Sequence, residues 1–247
     1  IINLGIPHVG ENIFENIGTD ELCQYFLVSQ TWKVLAETVL LKRWKSKFFI
    51  ACSLGKTKIV KLLLEHCEDI GLSARVTSLM QACAKGHKDI VKLLLDNSDR
   101  NIDEVNARTD KGVTGFMLAC HNGHKDVVKL LLYNSDKNIE LNARTDEGMT
   151  AFMCACHNGH TDVVKLLLDN SNIELNARTN QGFTGFLWAC QNGHKDVVKL
   201  LLVNSDRNID LNARTNQGMT AFMWACHNGQ KDVVKLLLKY SEIINID

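Results

Sequence analysis

The chain has 247 residues, and its 28 lysines and arginines are cancelled by 28 aspartates and glutamates. That balance argues against a generic nucleic-acid or membrane-surface binder, which needs a basic face. No apolar run approaches the ~20 residues of a membrane span, and no charged start, apolar run and small-residue cleavage site form a leader; a chain whose first residue is Ile1 reads as processed, trimmed or fragmentary.

The first element is a small helical segment from Ile6 to Lys45. Its apolar residues are Val9, Ile13, Phe14 and Ile17, then, after a Gly-Thr-Asp break, Leu22, Phe26, Leu27, Val28, Trp32 and Leu35. Thr19 or Asp20 suits the cap of the second helix. A piece of ~40 residues rarely makes an adequate core, so its surplus apolar surface must meet something else.

From Phe48 onward one pattern returns. Weak copies occupy Phe48–Leu64 (FFIACSLGKTKIVKLLL) and Thr77–Leu95 (TSLMQACAKGHKDIVKLLL). Strong copies open at Gly112, Gly148, Gly182 and Gly218, each with an inner glycine at Gly123, Gly159, Gly193 and Gly229, and both series step by 36, 34 and 36 residues. A fixed period of this length is the mark of a repeat array of about six units. In the first strong copy, apolar residues crowd Phe116 to Cys120, Asn122-Gly123 interrupts, and Val127, Val128, Leu130, Leu131 and Leu132 cover one helical face. Two short helices broken at a left-handed glycine are implied. Each falls below the ~12–15 residues at which an isolated helix is marginal in water, so no unit stands alone and stacking supplies the core.

These units resemble the ankyrin repeat over about Lys47 to Asp247. The match is T-G/A-F-M/L-x-A-C at Thr114–Cys120, Thr150–Cys156, Thr184–Cys190 and Thr220–Cys226, followed by Asn-Gly-His and V-V-x-L-L-L, with Gln230 in place of the histidine in the last copy. The tetratricopeptide period is similar, but its Trp, Leu-Gly, Tyr and Pro positions are missing. Where the family has proline, this chain has Gly or Ala, and the family's histidine is Met or Leu, so the usual Thr–His bonding cannot form. The glycine that follows the family's second helix is absent too; Asn97, Asn134, Asn170 and Asn204 lie close by as candidate left-handed caps. Outer loops are longer than the family's, with ten residues from Leu132 to Asn142 and eight from Leu168 to Asn176. The resemblance implies an all-α ankyrin-repeat solenoid of helix-turn-helix units with short finger hairpins.

The leading segment resembles an F-box. Ile6-Pro7, Ile13-Phe14-Glu15-Asn16-Ile17, Glu21-Leu22 and Val28 to Ala36, with Trp32, meet that family's positional pattern, while Ser29 replaces a common Cys and Leu41 stands where Leu-Trp is usual. By this resemblance residues 1–46 form a small helical F-box-like domain before the ankyrin domain at 47–247. Pro7, Ile13, Phe14, Ile17, Leu22, Val28 and Trp32 would dock on the Skp-type adaptor of a cullin ubiquitin ligase. The alternative is that these residues only cover the open end of the array.

Nine cysteines are an odd number, and Cys120, Cys156, Cys190 and Cys226 hold one equivalent position. They read as small core residues in a reducing compartment, which places the chain in the cytoplasm or nucleus. His121, His124 and Cys120 recur together but do not offer the four converging ligands of zinc; His124 is expected to bond to backbone near its helix start, and no metal or cofactor is expected. Asp126 and Lys129, repeated at Asp162–Lys165, Asp196–Lys199 and Asp232–Lys235, suit an i,i+3 pair on a solvated face. No phosphate loop, nucleophile elbow or paired-acid constellation appears, and catalysis is not expected.

Binding is better supported. In the ankyrin arrangement the residue before the motif threonine projects from a finger into the concave groove, and here it is Val76, Val113, Met149, Phe183 and Met219. Beside them stand His121, His157, Gln191 and His227, and the finger tips carry Asp110-Lys111, Asp146-Glu147, Asn180-Gln181 and Asn216-Gln217. Apolar surface with a polar rim is the usual form of a partner site; the other placement has these side chains filling gaps between fingers. Phe183 and Met219 are the strongest candidates, whereas Trp188 and Trp224 are assigned to the core. The function expected is an adaptor that holds an unidentified substrate protein for a ubiquitin ligase, or else a plain ankyrin scaffold or inhibitor.

Overall fold

Each strong repeat begins with a threonine in extended backbone that closes the first turn of a helix. In this computed structural model, which describes residues 47–66, 70–97, 105–133 and 138–246, Thr114 accepts from the Met117 N–H at 3.2 Å. Thr150, Thr184 and Thr220 accept likewise from Met153, Leu187 and Met223 at 3.3 Å each. This cap satisfies one orphan donor of the helix locally, so it needs no histidine.

The described residues fall into two compact units, divided after Ser78. In the first, α1 (Phe48–Ser53) and α2 (Thr57–His66) pack on one another, burying Phe48, Ala51, Ile59, Val60 and Leu63. Helix α3 spans Leu72–Lys85. The second unit continues with α4 (Lys88–Asp96), then four pairs: α5 (Gly115–His121) with α6 (Lys125–Leu132), α7 (Ala151–His157) with α8 (Thr161–Leu168), α9 (Gly185–Gln191) with α10 (Lys195–Val203), and α11 (Ala221–His227) with α12 (Lys231–Lys239). First helices pack on first helices from α5 to α11, and second on second from α4 to α12. Phe116, Phe152 and Phe186 lie in the first row and Val127, Val163 and Val197 in the second, all 2% exposed or less. Each such side chain contributes about 1.5–3 kcal/mol by leaving water, and that burial is available only to a stack.

Between paired helices the chain reverses at a left-handed glycine, with φ from +67° to +77° at Gly86, Gly123, Gly159, Gly193 and Gly229. Space forbids a side chain as well: a Cβ on Gly123 would lie 2.6 Å from Nδ1 of His160. That imidazole is there because His160 serves the neighbouring repeat. His124 Nε2 lies 2.9 Å from the Ala84 carbonyl, His160 Nε2 2.7 Å from that of His121, and His194 Nε2 2.7 Å from that of His157. The expectation that His124 bonds near its own helix start is corrected. A last-turn carbonyl of the preceding first helix has no partner within that helix, and only an Nε2-protonated ring can donate to it.

Three further expectations change. Asn97 and Asn204 end their helices at φ −97° and −103°, and their amides donate to the Leu93 and Leu200 carbonyls at 2.8 Å each. Left-handed backbone appears instead at Asn138 and Asn208, deeper in the outer loops; Asn134 lies outside the described residues. Among the described residues Asp126 and Lys129 form no ion pair; Lys125 reaches across repeats to Asp162 at 3.5 Å. Cys120, Cys156 and Cys190 are buried as expected, but Cys226 is exposed, since no further helix pair follows α11 and α12 among the described residues to cover it.

Candidate protein-binding groove

The site is built on fingers, and each finger is closed by its own residues. Thr109 N–H donates to the Val113 carbonyl at 2.9 Å while its hydroxyl accepts from the Val113 N–H at 3.1 Å. The same two bonds join Thr145 to Met149 and Thr179 to Phe183. Gly112, Gly148, Gly182 and Gly218 turn the tips at positive φ, which is why glycine stands two residues before each motif threonine.

Successive fingers are then tied together. Asp146 N–H donates to the Lys111 carbonyl at 3.1 Å, Asn180 N–H to Glu147 at 3.0 Å and Asn216 N–H to Gln181 at 3.0 Å. The amides of Asn180 and Asn216 donate backwards to the carbonyls of Asp146 and Asn180 at 2.8 Å each. These two side chains, expected to meet a partner, are committed to the scaffold. Asp110, Lys111, Asp146, Glu147, Gln181 and Gln217 remain exposed at the tips.

Along the file itself Val113, Met149 and Met219 are half-buried. Phe183 does not project from its finger and is only 5% exposed. Its ring stacks on Trp188, centroids 4.3 Å apart and planes 22° apart, and approaches Trp224 at 5.3 Å. The two indoles, assigned to the core from sequence, are half-buried and line the site. Aromatic rings gain more by stacking than by standing alone in water, so Phe183 folds onto the indoles and holds them at the surface. Val76 is also corrected: it sits within helix α3, with no finger before it, because the position two before Thr77, glycine in the strong copies, is Arg75 and the helix starts at Leu72.

Beside the file, His121 and His227 are exposed, and His157 and Gln191 half-buried. Asn158 donates from its amide to Nδ1 of His121 at 2.9 Å, which fixes the neutral tautomer of that ring. Although the residue as a whole is exposed, partial desolvation of its ring first, then the imidazoles of His157 and His160, hold His121 below the ordinary imidazole value. His157 packs edge-on against Trp188 with centroids 4.9 Å apart. Among the described residues no group of three or more His, Cys, Asp or Glu side chains is arranged to hold a metal ion, and no helix is long and apolar enough to cross a membrane.

The outer edge carries a feature that sequence reasoning used only as a spacing marker, the recurring Asn-Ala-Arg-Thr. Asn106, Asn142, Asn176 and Asn212 each reach the loop of the next repeat, donating to a carbonyl and accepting from an N–H two residues on. Arg108 donates to the Arg144 carbonyl at 3.2 Å and pairs with Glu140 at 2.6 Å; Arg144 repeats this with Arg178 and Glu174. An invariant polar tetrad amid variable loops was the available signal.

Helical pairs in register, with hydrogen-bonded fingers presenting a half-buried apolar file, define a repeat scaffold for holding other chains. The family model for ankyrin repeats (three copies) matches residues 15–106, 100–179 and 171–247, and the chain belongs to the ankyrin-repeat family, whose arrays are protein–protein interaction modules. The first match begins inside the segment read as F-box-like, and no F-box domain is found. Pro7, Ile13, Phe14, Ile17, Leu22, Val28 and Trp32 lie outside the described residues. No curated protein matches the chain.

Proposed function

We propose that the chain is a non-catalytic adaptor whose finger file grips another polypeptide. One observation carries this: backbone bonds between consecutive fingers make a rigid comb that holds Val113, Met149 and Met219 half-exposed at repeated steps. Preorganised apolar groups lower the ordering cost that binding must meet. All seven described cysteines are free thiols, which supports action in a reducing compartment, cytoplasm or nucleus. Co-purification of partners with the wild-type chain and with a Val113→Asp/Met149→Asp variant tests the reading. Loss of partners with retained helical signal supports it, and an unchanged partner set overturns it.

The finer reading, a substrate receptor of a Skp-cullin-F-box ligase, rests on the motif residues from Pro7 to Trp32. Direct binding of the intact chain to a Skp adaptor, abolished by Trp32→Ala, is its test. A plain scaffold or inhibitor is favoured by the ankyrin match that starts at residue 15, because it draws most of the leading segment into the array. That reading expects no Skp binding and unchanged partners when residues 1–46 are deleted.

A further inference from the structure

The last two finger-bearing repeats differ from the two before them at corresponding positions, and the differences meet in one place. Leu118 and Cys154 become Trp188 and Trp224; the finger residues Val113 and Met149 are followed by Phe183; His121 and His157 give way to Gln191. At the tips, the charged pairs Asp110-Lys111 and Asp146-Glu147 are replaced by Asn180-Gln181 and Asn216-Gln217. Together these residues line a cleft of about 300 Å³ between the third and fourth fingers. No charged side chain lines it.

Its polar atoms are unspent. The indole N–H groups of Trp188 and Trp224, Oε1 of Gln191 and the hydroxyl of Thr215 are buried and have no hydrogen-bond partner. Thr215 breaks a rule set by its own chain, since Thr109, Thr145 and Thr179 all accept from the N–H four residues on. Buried polar groups are paired in nearly all folded proteins, because an unpaired one forfeits its hydration without replacement. Four in one cleft, ringed by three aromatic side chains, have no partner within the chain and are free to bond a bound polypeptide.

The chemistry of that occupant follows from what is missing. Two indoles demand acceptors, Gln191 Oε1 demands a donor, and the hydroxyl takes either. A cation would find no carboxylate in the lining and a phosphate no cation, so both would be desolvated without a partner. Consecutive peptide units bring uncharged carbonyls and an N–H, and an apolar side chain between them fits against the rings. A volume of ~300 Å³ lies at the small end of ligand sites, which suits one side chain and its flanking peptide units. Met219 follows in the same file, so the cleft continues the surface assigned above to the partner.

We propose that the cleft formed by Phe183, Trp188, Gln191, Thr215 and Trp224 captures an extended, uncharged peptide segment of the bound protein, inserting one apolar side chain between the indoles. This rests on the groove reading and deepens it. The test uses the full chain against a phage-displayed library of random linear peptides, with selected peptides remeasured by calorimetry on Thr215→Val and Gln191→Met variants. Both substitutions nearly keep shape and remove an unpaired polar atom, so thermal stability is expected to hold or rise while affinity for the selected peptides falls about tenfold in each. Selected peptides should carry an apolar residue flanked by uncharged ones. Peptides that lose affinity on Met149→Ala but not on either cleft variant would overturn the inference and leave the groove reading standing. Selection of peptides centred on lysine, arginine or acidic residues overturns it too, and failure of the wild-type chain to select any peptide removes both.

Discussion

The side-chain amide of Asn142 donates to the Asn172 carbonyl at 2.7 Å, while its oxygen accepts from the Glu174 N–H at 2.9 Å. One short side chain therefore holds the entry loop of the next repeat by two bonds. Asn142→Ala is expected to cost about 1–2 kcal/mol in chemical denaturation, and Asn142→Asp, which keeps only the acceptor, somewhat less. Because Asn176 makes the same pair of bonds one repeat on, to Asn208 and Asp210, the double variant should cost close to the sum, as expected of sites with no shared partners.

Arg144 spans the same junction, but with its side chain 45% exposed and Glu174 56% exposed. Solvent screens such a pair, so Arg144→Met is expected to cost under ~1 kcal/mol. Raising salt should shrink that difference, whereas the Asn142 effect should be insensitive to salt. A denaturation series at two ionic strengths separates the two.

Gly115 and Gly185 open equivalent helices where other copies have Ala151 and Ala221, yet their surroundings differ. A Cβ on Gly115 meets Sγ of Cys83 at an ordinary 3.4 Å, whereas one on Gly185 would lie 2.7 Å from the Phe152 ring and 3.1 Å from Sγ of Cys156. Gly115→Ala is expected to be neutral or to stabilise by up to ~1 kcal/mol through helix propensity and chain entropy. Gly185→Ala should destabilise by about 1–3 kcal/mol, because Phe152 is 2% exposed and closely packed. Thermal melts of both variants check the opposite signs.

His121 is held below its ordinary value by partial desolvation of its ring and by His157 and His160. The unfolded chain therefore binds this proton more readily than the folded one. The contribution is present above the unfolded value of about 6.5 and is lost as pH falls through the lower folded value. Protonation also ends acceptance from the Asn158 amide. Stability measured downward from pH 7.5 should decline less steeply in His121→Gln, a replacement that position 191 already shows to fit.

Thiol reactivity should follow burial. Desolvation pushes Cys83 up to about 12 and Cys154 to about 11, and raises Cys120 and Cys190 well above the ordinary range. Alkylation of the native chain near pH 8, read by peptide mass spectrometry, is expected to mark Cys226 first among the seven described thiols and these four only after unfolding.

Much of the architecture was legible because it is periodic. Thr114, Gly123 and the Val127–Leu131 stripe act within one repeat, where local spacing dictates a cap, a turn and an apolar face. The misreadings of His124, Asn142 and Phe183 concern residues whose partners sit one repeat away, whereas Asn97 and Asn204 bond within their own helices. His124 was placed near its own helix because the Ala84 carbonyl is forty residues distant, and Asn142 passed as a spacing marker because its loop partner lies thirty residues on. Phe183 was read as exposed by analogy with Val113 and Met149, but two indoles supplied by α9 and α11 offered it a better environment.

By itself the sequence determined that short helices too weak to stand alone must share one interior, since period, cap and stripe are properties of the chain. Only the tertiary structure decided which surface that sharing leaves over. Exposure and hydrogen-bond satisfaction depend on what the neighbouring repeat brings, so the same position is half-exposed at Met149, sealed at Phe183, and bordered by unpaired indoles where two aromatic-bearing repeats meet.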